Sequence, residues 1–257
     1  MSIWQAALGV LVGFGAGILS GLFGVGGGTV TTPAVDVLLG GTAIQAIATP
    51  LPVIFPTSLV GAYTYHRAGE VSWRAVAWAS PPGMAGAAAG AALSDVVNPH
   101  WLLLALAVLL LWTAWQVVRS RQASVRERGA TPGWHYAAVG LVAGFVSGLL
   151  GVGGGIVMVP AFTTLLGMPL KRALGTSLVV ISALVVPGTI VHALLGHIDW
   201  AIFLALAAGV IPGALIGAKI ALGARDRTLR LAVGAFLFAV AVLYGVREIA
   251  FVAGSQG

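Results

Sequence analysis

The chain has 257 residues, of which 59% are hydrophobic and 8% charged, with a formal net charge of +6 and no cysteine. That balance is far from the soluble globular average, and the missing cysteines exclude a disulfide framework and a thiolate metal site. The basic residues are dispersed between apolar runs and form no patch, so nucleic acid is excluded as a partner; the partner is the lipid bilayer, because runs of crossing length, about 20 residues each, fill nearly the whole chain.

In chain order the apolar segments lie near residues 4–20, 26–40, 44–65, 73–93 and 101–118, and then near 134–148, 152–167, 172–195, 200–222 and 229–251. The first carries no Lys or Arg ahead of its apolar run, which argues for a first span and against a cleaved signal peptide. Between the two sets lies the one clearly polar stretch, RSRQASVRERGATPG at 119–133. The expected organisation is a transmembrane repeat over 1–118, a basic cytoplasmic linker over 119–133 and a second transmembrane repeat over 134–257.

The halves are a duplication. SGLFGVGGGTVTTP at 20–33 returns as SGLLGVGGGIVMVP at 147–160, with ten of fourteen positions identical at an offset of 127. The same offset pairs Thr49 with Thr176, Tyr65 with His192, Gly69 with Gly196, Trp73 with Trp200, Gly86 with Gly213 and Gly90 with Gly217. A single offset held over about 70 residues marks a repeated unit.

The second segment of each half is short and opens in glycines, so it either crosses or dips in and returns. With ten crossings, twelve of the thirteen basic residues fall on one side and Arg247 alone on the other; with two re-entrant segments the split is seven to six. The positive-inside rule favours ten crossings, both termini outside and the linker inside. Five crossings per half is an odd number, so the second half is inverted. The expected fold is therefore an all-α membrane protein of about ten segments in two inverted five-segment repeats, an organisation typical of secondary transporters.

Gly24, Gly26, Gly27 and Gly28, with Gly151, Gly153, Gly154 and Gly155 in the second half, are poor helix formers, each costing about 1 kcal/mol relative to Ala. They are expected to break the helix. The helix that restarts after each break, at Thr29 in the first half, presents free N–H groups and a partial positive charge to an anion. The competing use of such glycines is tight helix packing. No Lys-Ser/Thr follows them, which excludes a Walker nucleotide site.

Thr49, Thr176 and Ser177 carry hydroxyls inside the third and eighth segments, where they either serve an anion or bond back to their own helix. Asp36 and His192 are candidates for proton coupling, as ionisable residues in or near the end of a span; the alternatives are that Asp36 reaches the interface and that His192, like its counterpart Tyr65, is an interfacial ring. The histidines lack metal-ligand spacing, so no metal or cofactor is expected. No Ser/His/Asp or Cys/His set recurs at a useful spacing, so the protein is not expected to be an enzyme.

The doubled GVGGG…P element, ALGTS at 173–177, GHIDW at 196–200 and PGALIGAKIA at 212–221 together resemble the sulfite exporter TauE/SafE family of membrane permeases. The resemblance implies a multi-pass protein of a bacterial-type cell membrane that transports a sulfur-containing anion such as sulfite or a small organosulfonate, usually outward. A passive anion channel is the alternative. The first half departs from the pattern at AIATPLP, where Pro50 stands in place of Ser177.

Overall fold

The computed structural model describes residues 3–94, 96–97 and 131–232 together with single positions within 102–115 and 234–242. More than half of the fifth and tenth apolar segments and most of the linker lie outside the described residues.

The helices bounded within the described part are α1 (Ile3–Phe23), α2 (Gly28–Val37), α3 (Ala43–Ala48), α4 (Pro50–Arg67), α5 (Trp73–Ser94), α6 (Gly133–Leu150), α7 (Gly155–Pro160), α8 (Leu170–Leu194) and α9 (Trp200–Gly223); residues 226–232 and the single positions described within 102–115 and 234–242 are also helical. No strand occurs among the described residues. Five stretches there are long and apolar enough to cross a bilayer: Ile3–Phe23, Ala43–Arg67, Gly133–Leu150, Leu170–Leu194 and Trp200–Gly223.

Local chemistry sets the boundaries. The third apolar segment, expected to be continuous, is two helices, because Pro50 lacks an N–H and occupies the first position of a new one. Its lead-in α3 starts from a capping box in which Thr42 and Gln45 satisfy each other's backbone N–H groups. In the second half α7 meets Pro160 and widens into a π turn over Ala161–Leu165.

The long helices pack through glycine. Gly13, Gly17 and Gly21 of α1 face the backbone of α9 so closely that an added Cβ would fall on the carbonyl oxygens of Leu206, Val210 and Ala214. Both sets of numbers rise together, so α1 and α9 run parallel. The offset of 127 then maps each of these contacts onto a second pair: Gly140, Gly144 and Gly148 of α6 meet the carbonyls of Ala79, Gly83 and Ala87 of α5. Each half thus lends one helix to the other.

At the centre α4 and α8, which are counterparts, cross in opposite directions. Leu51 lies beside Gly188, and Gly61 beside Leu178; each contact is the other one shifted by 127. Ile54 and Ile181, equivalent residues, meet at Gly26. Buried aliphatic side chains from all these helices fill the space around them.

Candidate functional site

The two glycine clusters break the chain as expected and come together at the middle of the molecule. Gly24, Gly26 and Gly27 have φ of 65°, 84° and 84°, and Gly151, Gly153 and Gly154 have 68°, 82° and 73°. Side-chain-bearing residues avoid this left-handed region, so the sequence could not make these turns with alanine at no cost. The breaks also touch. A Cβ on Gly28 would lie 2.6 Å from the Gly151 oxygen, and one on Gly155 would fall on the Gly24 oxygen. Gly28 and Gly155 therefore serve close backbone approach, as the packing alternative required, whereas the positive φ at the neighbouring positions serves the turn.

Gly27 and Gly154 are the left-handed N-caps of α2 and α7, and neither helix start has a side-chain cap. The Gly27 carbonyl accepts from the amides of Val30 and Thr31 and from the Thr31 hydroxyl, which closes the first turn of α2 on its carbonyl side. The first amides of the turn, at Gly28 and Thr29, point the other way, as at any helix start.

Around these starts lie buried hydroxyls with nothing to bond. Ser20, Thr29, Thr32 and Ser147 are each 0% exposed, and their side-chain oxygens have no hydrogen-bond partner. The Ser20 Cβ lies 3.5 Å from the place where a Gly27 Cβ would sit, and the Ser147 Cβ lies 3.4 Å from the equivalent place on Gly154. An unpaired buried hydroxyl costs about 1–3 kcal/mol. Ser20 and Ser147, related by the repeat, stand beside the two left-handed N-caps, and Thr29 and Thr32 lie in the opening turns of α2. Sequence reasoning passed over Ser20 and Ser147, although both open the duplicated stretch and are identical in it.

The other expected site residues are placed as follows. Thr49 and Thr176 are buried and engaged across the halves: the Thr49 hydroxyl oxygen accepts from the Asp199 amide at 3.1 Å, and that of Thr176 from the Ser72 amide at 2.9 Å. They fasten the loops that lead into α9 and α5. The Ser177 hydroxyl reaches the first break, at 3.0 Å from the Gly24 oxygen and 2.8 Å from its own Leu174 oxygen. Thr57, Ser58 and Ser182 bond back to carbonyls of their own helices. Asp36 falls in the last turn of α2, and its side chain lies outside the described residues.

The alternative of an interfacial ring at His192 requires a correction. His192 is fully buried, and so is Tyr65, so neither is an interfacial ring. The Tyr65 hydroxyl donates to the Gly21 carbonyl at 3.1 Å, and the His192 Nε2 meets the equivalent Gly148 carbonyl at 3.3 Å. The physical reason is the close helix approach, which leaves these carbonyls near the end of α1 and α6 within reach of one side chain from the crossing pair. No group of three metal-ligating side chains occurs among the described residues.

Comparison with known proteins gives the family. The family model for Sulfite exporter TauE/SafE matches residues 9–244. The probable membrane transporter protein YunE of Bacillus subtilis is 30% identical over 82% of this chain and 85% of its own length. A probable membrane transporter protein of Xylella fastidiosa is 27% identical over 91% of each chain. The probable membrane transporter protein MJ0441 of Methanocaldococcus jannaschii is 26% identical over 89% of this chain and 91% of its own. No solved structure matches the chain.

Proposed function

The chain belongs to the sulfite exporter TauE/SafE family and is a multi-pass membrane transporter, and from that premise we propose that it exports a small sulfur-containing oxyanion, such as sulfite or an organosulfonate, by alternating access. The anion is held where the two glycine breaks meet. The backbone amides that open α2, with the Ser20, Thr29 and Ser147 hydroxyls, supply donors for its oxygens, and the second break supplies the symmetric wall. The observation that carries this reading is the set of fully buried, unpartnered hydroxyls at the breaks. The sulfur chemistry of the cargo rests on family membership.

Alternating access is commonly built on two repeats related by inversion, and we read the chain as ten crossings in that arrangement. The opposed directions of α4 and α8 support it, as do the exchanged contacts of α1 with α9 and α5 with α6. The end of α2 lies on the side that this topology requires. Val35 and Leu39 near its end pack with Ile202 and Leu206 in the first turns of α9 and with Val12 of α1, so the chain has turned back toward the end of the bundle from which α1 came. Cysteines placed singly at positions 2, 124 and 256, in a chain that has none of its own, are expected to label from outside, inside and outside. Cytoplasmic labelling at position 2 or 256 contradicts the topology.

The function is tested by binding. Purified protein is titrated with sulfite, thiosulfate, sulfoacetate, isethionate and taurine, in the presence and absence of EDTA. At least one sulfur oxyanion is expected to bind without added metal, since backbone N–H groups and hydroxyls are the donors. Tight binding of a cationic amine, or loss of anion binding under EDTA, contradicts the site.

A further inference from the structure

A cleft of about 450 Å³ opens on the side of the bundle, where α4 packs against both α8 and α9. Its walls include Leu59 and Tyr63 of α4, Val179 and Ser182 of α8 and Leu215 of α9, and its rim carries His66 and Trp73. These walls are largely apolar. The Ser182 hydroxyl donates to the Val179 carbonyl of its own helix at 2.7 Å and so leaves the cleft no open polar group there. Leu59, Tyr63, Trp73 and Leu215 are all exposed, which places the opening on the outer surface.

The cleft runs lengthwise from one end of the molecule. The end of α4, the end of α9 and the start of α8 meet there: the Lys171 Nζ donates to the Leu222 oxygen at 2.7 Å, and a Cβ on Gly175 would fall on the Glu70 oxygen. His66 belongs to the last turn of α4. At 1.5 Å per residue, Leu59 lies about 12 Å in from Arg67 along α4, and Ser182 about 18 Å in from Leu170 along α8. One leaflet of bilayer hydrocarbon is about 15 Å thick. The cleft therefore has the depth of one leaflet, with Trp73, His66 and Tyr63 at the level where aromatic rings meet the headgroups.

Basic side chains gather around the rim. The Arg67 guanidinium carbon lies 5.9 Å from the centre of the Tyr63 ring, and the His66 and Trp73 rings meet edge to face with centres 5.3 Å apart. Arg74 follows Trp73, and Lys219 stands one turn past Leu215 on the exposed face of α9, its Cα–Cβ bond tilted back toward Leu215 as in any helix. The α4–α5 loop adds one acid, the half-buried Glu70. The repeat does not call for this arrangement. At the offset of 127, His66, Arg67, Arg74 and Lys219 correspond to Ala193, Leu194, Ala201 and Ala92, while Ser182 and Leu215 correspond to Phe55 and Ala88. The positive-inside rule accounts for bases at this end, but not for a serine where the other copy has a phenylalanine.

We propose that this cleft binds one anionic phospholipid, with an acyl chain lying between α4, α8 and α9 and the phosphate held at the rim by Arg67 and Lys219 beside the His66 ring. The volume falls within the range of about 300–1,000 Å³ usual for small-molecule sites. The chain alone gives little selectivity, because surrounding lipid is as apolar as the walls. The headgroup supplies it: a basic pocket between helices at the membrane surface attracts an anionic headgroup, whereas a zwitterionic one brings no net charge to it. In the topology proposed above this end is cytoplasmic, so the lipid comes from the inner leaflet. The site is separate from the glycine breaks and does not depend on what they bind.

The test is lipid binding by the full chain. Delipidated protein in neutral detergent is titrated with phosphatidylglycerol and with phosphatidylcholine of the same acyl chains, and bound lipid is counted by native mass spectrometry. Wild type is expected to take the first phosphatidylglycerol about tenfold or more tightly than the first phosphatidylcholine at low salt, with the preference shrinking as salt rises. The double variant R67Q/K219Q is expected to bind both lipids as wild type binds phosphatidylcholine. S182F and L59W narrow the cleft from α8 and from α4 and are expected to weaken the first site for both lipids, by about tenfold or more. Both variants fold, since a phenylalanine already stands at the place equivalent to Ser182 and Leu59 is exposed. Equal affinities in wild type, an unchanged preference in R67Q/K219Q, or undiminished binding in both S182F and L59W overturns the proposal. So does a dimer that S182F or L59W dissociates, because a second copy of the chain then covers the cleft.

Discussion

Replacing Gly27 by Ala is expected to abolish transport and to weaken sulfur-oxyanion binding by about ten- to hundredfold, the scale of one or two lost hydrogen bonds to a charged ligand. Gly27 has φ 84°, so a Cβ there carries a local cost of about 1–2 kcal/mol. Space is nevertheless available: the nearest atoms to the new methyl are the Ser20 Cβ at 3.5 Å and the Ala16 oxygen at 3.6 Å. The fold therefore stands, with a modest drop in thermal midpoint. What changes is the site, because the methyl occupies the ground between Ser20 and the opening turn of α2. The measurement is binding and proteoliposome flux on a variant that purifies as a single species. Gly154→Ala is the weaker test, since its Cβ would lie 2.7 Å from the Ala143 oxygen and so disturbs packing as well. Wild-type binding by Gly27→Ala would reduce the break to a packing device.

The opposite outcome is expected at Gly86 and Gly217. An added methyl there falls on the carbonyls of Leu141 and Ile18, both backbone atoms of a neighbouring helix, so the helix pair must separate. Overpacking of this kind costs about 1–3 kcal/mol. Thermal unfolding of either alanine variant is expected several degrees below wild type, with the affinity for a sulfur oxyanion retained. Unchanged stability with lost binding would instead make the helix contact part of the site.

The duplication is legible in the sequence because identical residues recur at one offset, and the glycine breaks because three successive glycines are a poor helix at any position. The offset also foretells more than position. Contacts such as Thr49 with Asp199 and Thr176 with Ser72 are copies of each other with the partners exchanged, which follows once two equivalent halves must pack face to face. Partnership is the part that local sequence does not carry. Thr49 and Thr176 read as hydroxyls beside the breaks, whereas their oxygens fasten loops of the opposite half. Ser20 and Ser147, which the sequence did not single out, prove to be unpartnered hydroxyls. The distinction depends on which backbone amide arrives from about a hundred residues away. The interfacial alternative for His192 fails for a related reason: hydropathy locates the end of a span, but only the packing of α8 against α6 buries the ring.

The most direct test of the account is to remove Ser20 and Ser147 hydroxyls by Ser20→Ala and Ser147→Ala, singly and together, and to measure thiosulfate or sulfite affinity beside thermal stability. A buried hydroxyl without a partner destabilises the free protein. If these hydroxyls await an anion, each alanine leaves stability equal to wild type or higher while affinity falls, by about tenfold for each lost donor to a charged ligand. Reduced stability with undiminished affinity would contradict the account and assign both serines to packing.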